Sequence, residues 1–155
     1  MALLMDLRVE NDDWQTLPDL EALCQRALEA GYALQAQAED QHVDVLLADD
    51  GALEALNTQW RGKAKPTDVL SFPASEPPEH FLGDIAIAYG VAARDAETSG
   101  KSLGAHLSHL LIHGLLHLLG HDHIEDTDAQ IMENLERTAL ETLGIDDPYS
   151  RIEPN

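Results

Sequence analysis

Residues 103–123 read LGAHLSHLLIHGLLHLLGHDH. Apolar side chains fill this stretch, and His106, His109, His113 and His117 recur every three or four positions. At roughly 100° per residue, these four imidazoles point into one sector roughly 80° wide. The stretch is therefore an apolar helix with a stripe of imidazoles, running from about Leu103 to Leu119 and closed by Gly120. His113 and His117, at i and i+4, stand one turn apart, which lets their ring nitrogens share one metal ion at about 2.0–2.1 Å. The helix alone cannot supply a third ligand in the facial position. The chain must turn back, and Gly120 permits the left-handed conformation that brings His123 in from the turn.

Outward from this helix, the periodicity sets the rest of the fold. Leu3, Met5, Leu7 and Val9 alternate with charged residues, as in a half-buried strand. Pro18 in a first turn, then Leu20, Leu23, Ala27 and Leu28, predict an amphipathic helix stopping at Gly31. Val43, Val45 and Leu47 form a second strand, and Asp50 caps a short helix carrying Leu53, Leu56 and Trp60. Val69–Phe72 is a short strand ended by Pro73; Ile85, Ile87 and Tyr89 mark a fourth, after the polar loop ASEPPEHFLG. A helix from Val91 ends near Gly100. The capping box Thr127-Asp128-Ala129-Gln130 opens a last helix with Ile131, Leu135, Ala139 and Leu143 inward, stopping at Gly144. The order β-α-β-α-β-β-α-α-α predicts an α+β fold: a single domain with a small mixed four-stranded sheet, about five helices, and the metal-bearing helix in the C-terminal half. The expected domain spans residues 1–148, and residues 149–155 form a loose tail.

Composition narrows the function. The 155 residues suit one domain, and 44 % hydrophobic content supports a folded core. No apolar run is long enough for a transmembrane helix, and the N-terminus lacks the basic region of a signal peptide. Cys24, the single cysteine, can form no internal disulfide. The expected compartment is the cytoplasm. Nine Lys+Arg against 29 Asp+Glu leave a net charge of −20, a field that repels nucleic-acid backbones and anionic membranes. Positive charge is scarce, yet Arg61, Lys63 and Lys65 crowd together.

The spacing of His113, His117, Gly120 and His123 matches the metzincin pattern H-E-x-x-H-x-x-G-x-x-H, with one departure. Gly114 stands where those proteases carry the Glu that activates water. The ligand set is intact and the peptidase base is missing. Three imidazoles with an open fourth position still lower the pKa of bound water to about 7. Gly114 also predicts room for a bulky ligand to approach the helix backbone. His106 and His109 suit packing or support of a ligand better than ligation; His121 is ambiguous; Asp122 orients a ligand imidazole or caps the turn. Asp84 is a further candidate for support of a ligand, or a cap at a strand edge. Zinc, one ion per chain, suits three imidazoles, as do nickel, copper or iron.

HGLLHLLGHDH resembles H-G-x-L-H-L-x-G-x-D-H, the signature of the YbeY family of bacterial endoribonucleases and ribosomal RNA maturation factors. LNTQWRGKAKPTDVLSFP (Leu56–Pro73) and LGDIAIA (Leu82–Ala88) resemble two further family segments, so the likeness covers most of the chain. The acidity is not anticipated by it. The resemblance implies that His113, His117 and His123 bind zinc and that Arg61 matches the family's functionally important arginine. It implies single-strand-specific RNA cleavage, 16S rRNA 3′-end maturation and ribosome quality control, with a ribosomal subunit, ribosomal protein S11 and the Era GTPase as partners.

The residues agree with that implication. A guanidinium at Arg61 offers paired planar donors to a phosphate, and Lys63 and Lys65 add point charges for neighbouring phosphates as RNA-binding candidates. Trp60 stacks on a base or, more in keeping with its apolar helix face, packs in the core. Two other readings compete: a zincin-like metalloprotease or small-substrate hydrolase, which Gly114 disfavours, and a ribosome-assembly binding module with a structural metal. The second needs a fourth protein ligand from His121, His109 or Cys24.

Overall fold

The structure, a computed structural model, describes residues 3–34, 40–61, 69–74, 81–121 and 125–148, with the backbone alone at positions 60 and 61. It has an α+β architecture. Strands β1 (Leu3–Val9), β2 (Gln41–Ala48), β3 (Val69–Pro73) and β4 (Phe81–Ala88) form one sheet in the order β1-β2-β4-β3. β1, β2 and β4 run parallel, and β3 is antiparallel to β4. The helices are α1 (Leu20–Tyr32), α2 (Asp50–Arg61), α3 (Tyr89–Ser99), α4 (Leu103–Leu118) and α5 (Asp126–Thr142). The mixed sheet and five helices are those expected from the periodicity.

α4 is the histidine helix, and it lies at the centre. It packs on β3 and β4 below and against α1, α3 and α5 around it. Leu107, Leu111, Ile112, Leu115 and Leu116 are fully buried there, together with Leu28, Leu47, Ile85 and Ile87. A helix apolar nearly all round is stable only when wrapped in this way. Its N-terminus is capped by Ser102, whose hydroxyl accepts from the Ala105 amide at 3.1 Å. The opposite sheet face is partly covered by α2, through Leu53 and Leu56 against Leu70, Ala86 and Ala88.

Two glycines set the strand and helix approach. Gly83 has φ +141° where β4 bulges against β2, and a Cβ there would stand 2.3 Å from the Phe72 carbonyl oxygen. Gly114 faces the sheet: a Cβ would meet Ile85 Cγ2 and Ser71 Oγ, both at 3.0 Å. The Ser71 hydroxyl donates to the Gly114 carbonyl at 3.1 Å. Gly114 therefore lets α4 settle onto β3 and β4, and the expectation that it clears space for a ligand is corrected.

Other local expectations shift for identifiable reasons. Asp49, rather than Asp50, caps α2, accepting from the Ala52 amide at 2.8 Å. Asp50 instead reaches α3, where it accepts from the Val91 amide at 2.9 Å, and so caps a second helix across the fold. Tyr89 begins α3 instead of ending β4, with its ring against the edge of buried Trp14. α1 starts after Pro18, at Leu20, and runs through Gly31 to Tyr32. α5 starts at Asp126 with Glu125 at its cap and no side-chain capping bond, so the capping box is not formed. Ile131 is 47 % exposed, not inward. Ala139 is buried and Leu135 and Leu143 pack against the core as expected, and α5 also turns Met132, Glu136 and Leu140 inward. The expected loose tail, residues 149–155, lies outside the described residues.

Candidate metal centre

α4 and the turn that ends it build the site. The helix closes in a Schellman arrangement: the His121 amide donates to the Leu116 carbonyl and the Gly120 amide to the His117 carbonyl, both at 3.0 Å. Gly120, at φ +101°, makes this turn as its sequence position predicts. The turn also serves the helix's last imidazole. The Nδ1 of His117 lies 3.0 Å from the His121 carbonyl oxygen. A carbonyl only accepts, so Nδ1 carries the proton and Nε2 presents its lone pair.

His113 is fixed on the same principle by a different partner. Its Nδ1 lies 3.0 Å from Glu136 Oε2 on α5. With Nδ1 donating to this carboxylate, the lone pair of His113 is left on Nε2. The two Nε2 atoms stand 3.1 Å apart, the rings meeting edge to face with centroids 4.6 Å apart. At this distance one ring nitrogen can donate to the other, or both can turn their lone pairs to one shared cation. Two nitrogens on one tetrahedral metal stand roughly 3.3 Å apart. His113 and His117 therefore fit a shared divalent ion, each oriented by a partner on its far nitrogen.

Glu136 is the residue missed in the sequence. It is 1 % exposed, and its second oxygen, Oε1, accepts from Nε2 of His109. His109 thus shares Glu136 with His113. The signal was present: Met132, Glu136, Ala139, Leu140 and Leu143 make an alternative inward stripe with a carboxylate in its middle. His106 is buried beside His109, with ring centroids 6.3 Å apart.

The remaining candidates divide by position. Asp122, His123, Lys63 and Lys65 lie outside the described residues; Arg61 ends α2, and its side chain, like that of Trp60, is not described. Asp84 is not brought to the histidines. It alternates with Ile85, which packs on α4, and so stands on the opposite face of the sheet. Burial, and then the charge of neighbouring Asp44, raise its pKa. Cys24 is fully buried in the core, and burial with the nearby Glu21 charge pushes its thiol up to about 12. It is a neutral thiol near pH 7 and a poor zinc donor.

A second group of metal donors occurs on the opposite sheet face. His42 Nε2 lies 2.8 Å from Asp44 Oδ1 and 3.2 Å from Asp6 Oδ2, so the three side chains could hold a metal ion. Asp6 and Asp44 also line a cleft of about 970 Å³, together with Arg8, Phe72 and Asp84. Asp6 is 78 % exposed, and the imidazole already bridges the two carboxylates. Water competes strongly at so open a place, whereas the α4 pair is partly buried and pre-aimed.

Among the described residues, no helix is long and apolar enough to cross a membrane. A family model described as Endoribonuclease YbeY matches residues 8–144. An Endoribonuclease YbeY of Rhodopseudomonas palustris (strain BisB18) is 48 % identical over 147 residues, covering 90 % of this chain and 88 % of that one. One from Maricaulis maris is 45 % identical over 150 residues, covering 97 % and 94 %; one from Rhizobium meliloti is 41 % identical over 166 residues, covering 99 % of each. The solution structure of TM1509 from Thermotoga maritima shares the fold with a TM-score of 0.58 and 25 % identity, covering 97 % of this chain and 99 % of that one. With the sheet, the histidine helix and its closing glycine in place, the chain belongs to the YbeY endoribonuclease family.

Proposed function

We propose that this protein is a zinc-dependent endoribonuclease that cuts single-stranded RNA. In this reading His113, His117 and His123 hold one zinc ion per chain, and Arg61 contacts the scissile phosphate. The observation that carries it is the convergence of two Nε2 atoms 3.1 Å apart, each ring fixed through its Nδ1. A bound zinc ion supplies a Lewis acid for the phosphodiester and a water activated near neutral pH. The chain's own part is to aim the ligands, keep their far nitrogens occupied, and bring a guanidinium to the charge that grows on the phosphate. Lys63 and Lys65 bind flanking phosphates, and Asp122 orients a ligand ring.

The biological substrate in this reading is the 3′ end of 16S rRNA, with a role in ribosome quality control in the cytoplasm. A net charge of −20 argues that a partner presents the RNA, so that a small cationic patch suffices. The ribosomal subunit, ribosomal protein S11 and the Era GTPase are the partners that family likeness suggests. The peptidase reading loses further ground, because Gly114 is sealed against Ile85 and Ser71 and has no space for a catalytic Glu.

The test is cleavage of one RNA sequence presented single-stranded and as a duplex, followed by analysis of the new ends. Cleavage confined to the single strand is expected. Equal cutting of both, or of neither, contradicts the reading. A 2′,3′-cyclic phosphate identifies the ribose hydroxyl as nucleophile; its absence identifies water.

A further inference from the structure

We propose that Glu136 is the positioning residue of this centre, one carboxylate on α5 that clamps two imidazoles of α4 and turns the His113 lone pair towards the metal. The inference deepens the metal-centre reading above and rests on it.

The placement of Glu136 is costly unless it has a task. A carboxyl group taken wholly out of water loses its solvation, which hydrogen-bond partners must offset. Glu136 is 1 % exposed and sits on the face by which α5 docks, between Met132 and Ala139, where a leucine would serve packing alone. Both of its oxygens are used. Oε2 accepts from Nδ1 of His113 and Oε1 from Nε2 of His109, and these histidines lie one turn apart on α4. A single hydrogen bond would leave the ring of His113 to swing about its Cβ–Cγ bond. The carboxylate, itself held by His109, fixes both the tautomer and the ring plane.

The arrangement has a second consequence. Glu136 is a polar link between α5 and the ligand-bearing helix, so metal affinity and the docking of the last helix are linked. A metal that binds only the aimed His113 stabilises the docked α5, and a docked α5 tightens metal binding by the same factor.

The experiment compares wild type with Glu136→Gln, which keeps size and shape but replaces one acceptor by an amide donor. Zinc affinity is read by competition with a chromophoric chelator. The tautomer of His113 is read in metal-free wild type by long-range ¹H–¹⁵N correlation of labelled histidine, which needs no variant to fold. The expected results are a proton on Nδ1 of His113 without metal, and zinc affinity about 10–100-fold weaker in Glu136→Gln. Two results overturn the inference while leaving the metal reading intact: a metal-free His113 protonated on Nε2, or a folded Glu136→Gln that binds zinc as tightly as wild type. A wild type that takes up no zinc at all overturns the metal reading as well.

Discussion

Nε2 of His113 and Nε2 of His117 face each other at 3.1 Å, each with its proton held on the far side of its ring. The turn carbonyl of His121 holds one ring and the carboxylate of Glu136 the other. Imidazoles fixed in this way lose little further freedom on binding a metal.

His117→Ala tests which donor group takes the ion. Zinc in 100-fold excess over its dissociation constant stabilises a protein that binds it only when folded by about 2.7 kcal/mol. Thermal melting with and without zinc will show that upward shift in wild type and in His42→Ala. The shift will vanish in His117→Ala. Loss of the shift in His42→Ala alone would move the site to the Asp6–His42–Asp44 group.

Gly114→Glu restores the residue that zincin proteases carry, and it will not restore peptidase chemistry. The new side chain enters a contact where even a Cβ stands 3.0 Å from Ile85 and Ser71. Overpacking and a buried charge together destabilise by about 3 kcal/mol or more. Urea unfolding will show the lowered midpoint. A stable variant that turns over casein would refute the packing role.

Much of this was legible in the sequence because periodicity and spacing are local. The α4 stripe, the turn at Gly120 and the four strands follow from residues within a turn or a pleat of one another. What was not legible depends on contacts across the fold. Glu136 meets His113 over 23 positions, and no local pattern states that α5 is rotated to bury it rather than Ile131. The cap at Asp50 was misassigned for the same reason, since its carboxylate serves α3, 41 positions on. Gly114 looked like space for substrate because a missing side chain reads alike whether a ligand or a strand fills the gap.

Arg61→Glu will leave zinc content and melting temperature unchanged and lower RNA cleavage by about 10²–10³-fold, the usual cost of losing one donor to transition-state charge. With Arg61, Lys63 and Lys65 as the phosphate contacts, log affinity for single-stranded RNA will fall with log salt at a slope of roughly −2. Filter binding across a salt series measures it. A variant that loses zinc makes Arg61 structural, and a slope near zero removes the cationic patch from the account.

Asp84→Asn reports on the acidic face. Burial and Asp44 raise the Asp84 pKa, so the folded state holds this proton more tightly than the unfolded chain. The resulting stabilisation is present at acid pH, below the unfolded pKa, and is lost as pH rises through the folded value. Near neutrality Asp84 is therefore a mild burden. Asp84→Asn will be slightly more stable than wild type at pH 7, by less than about 1 kcal/mol at so solvated a position, with the difference shrinking in acid. Denaturation midpoints at pH 4 and pH 7 check both signs, and a variant less stable at pH 7 contradicts the assignment.

The most direct test strips the protein with EDTA, removes the chelator, and titrates zinc back while following cleavage of an end-labelled single-stranded RNA. The account predicts no cleavage by the stripped protein and recovery that saturates at one ion per chain. Undiminished cleavage by metal-free protein would contradict it.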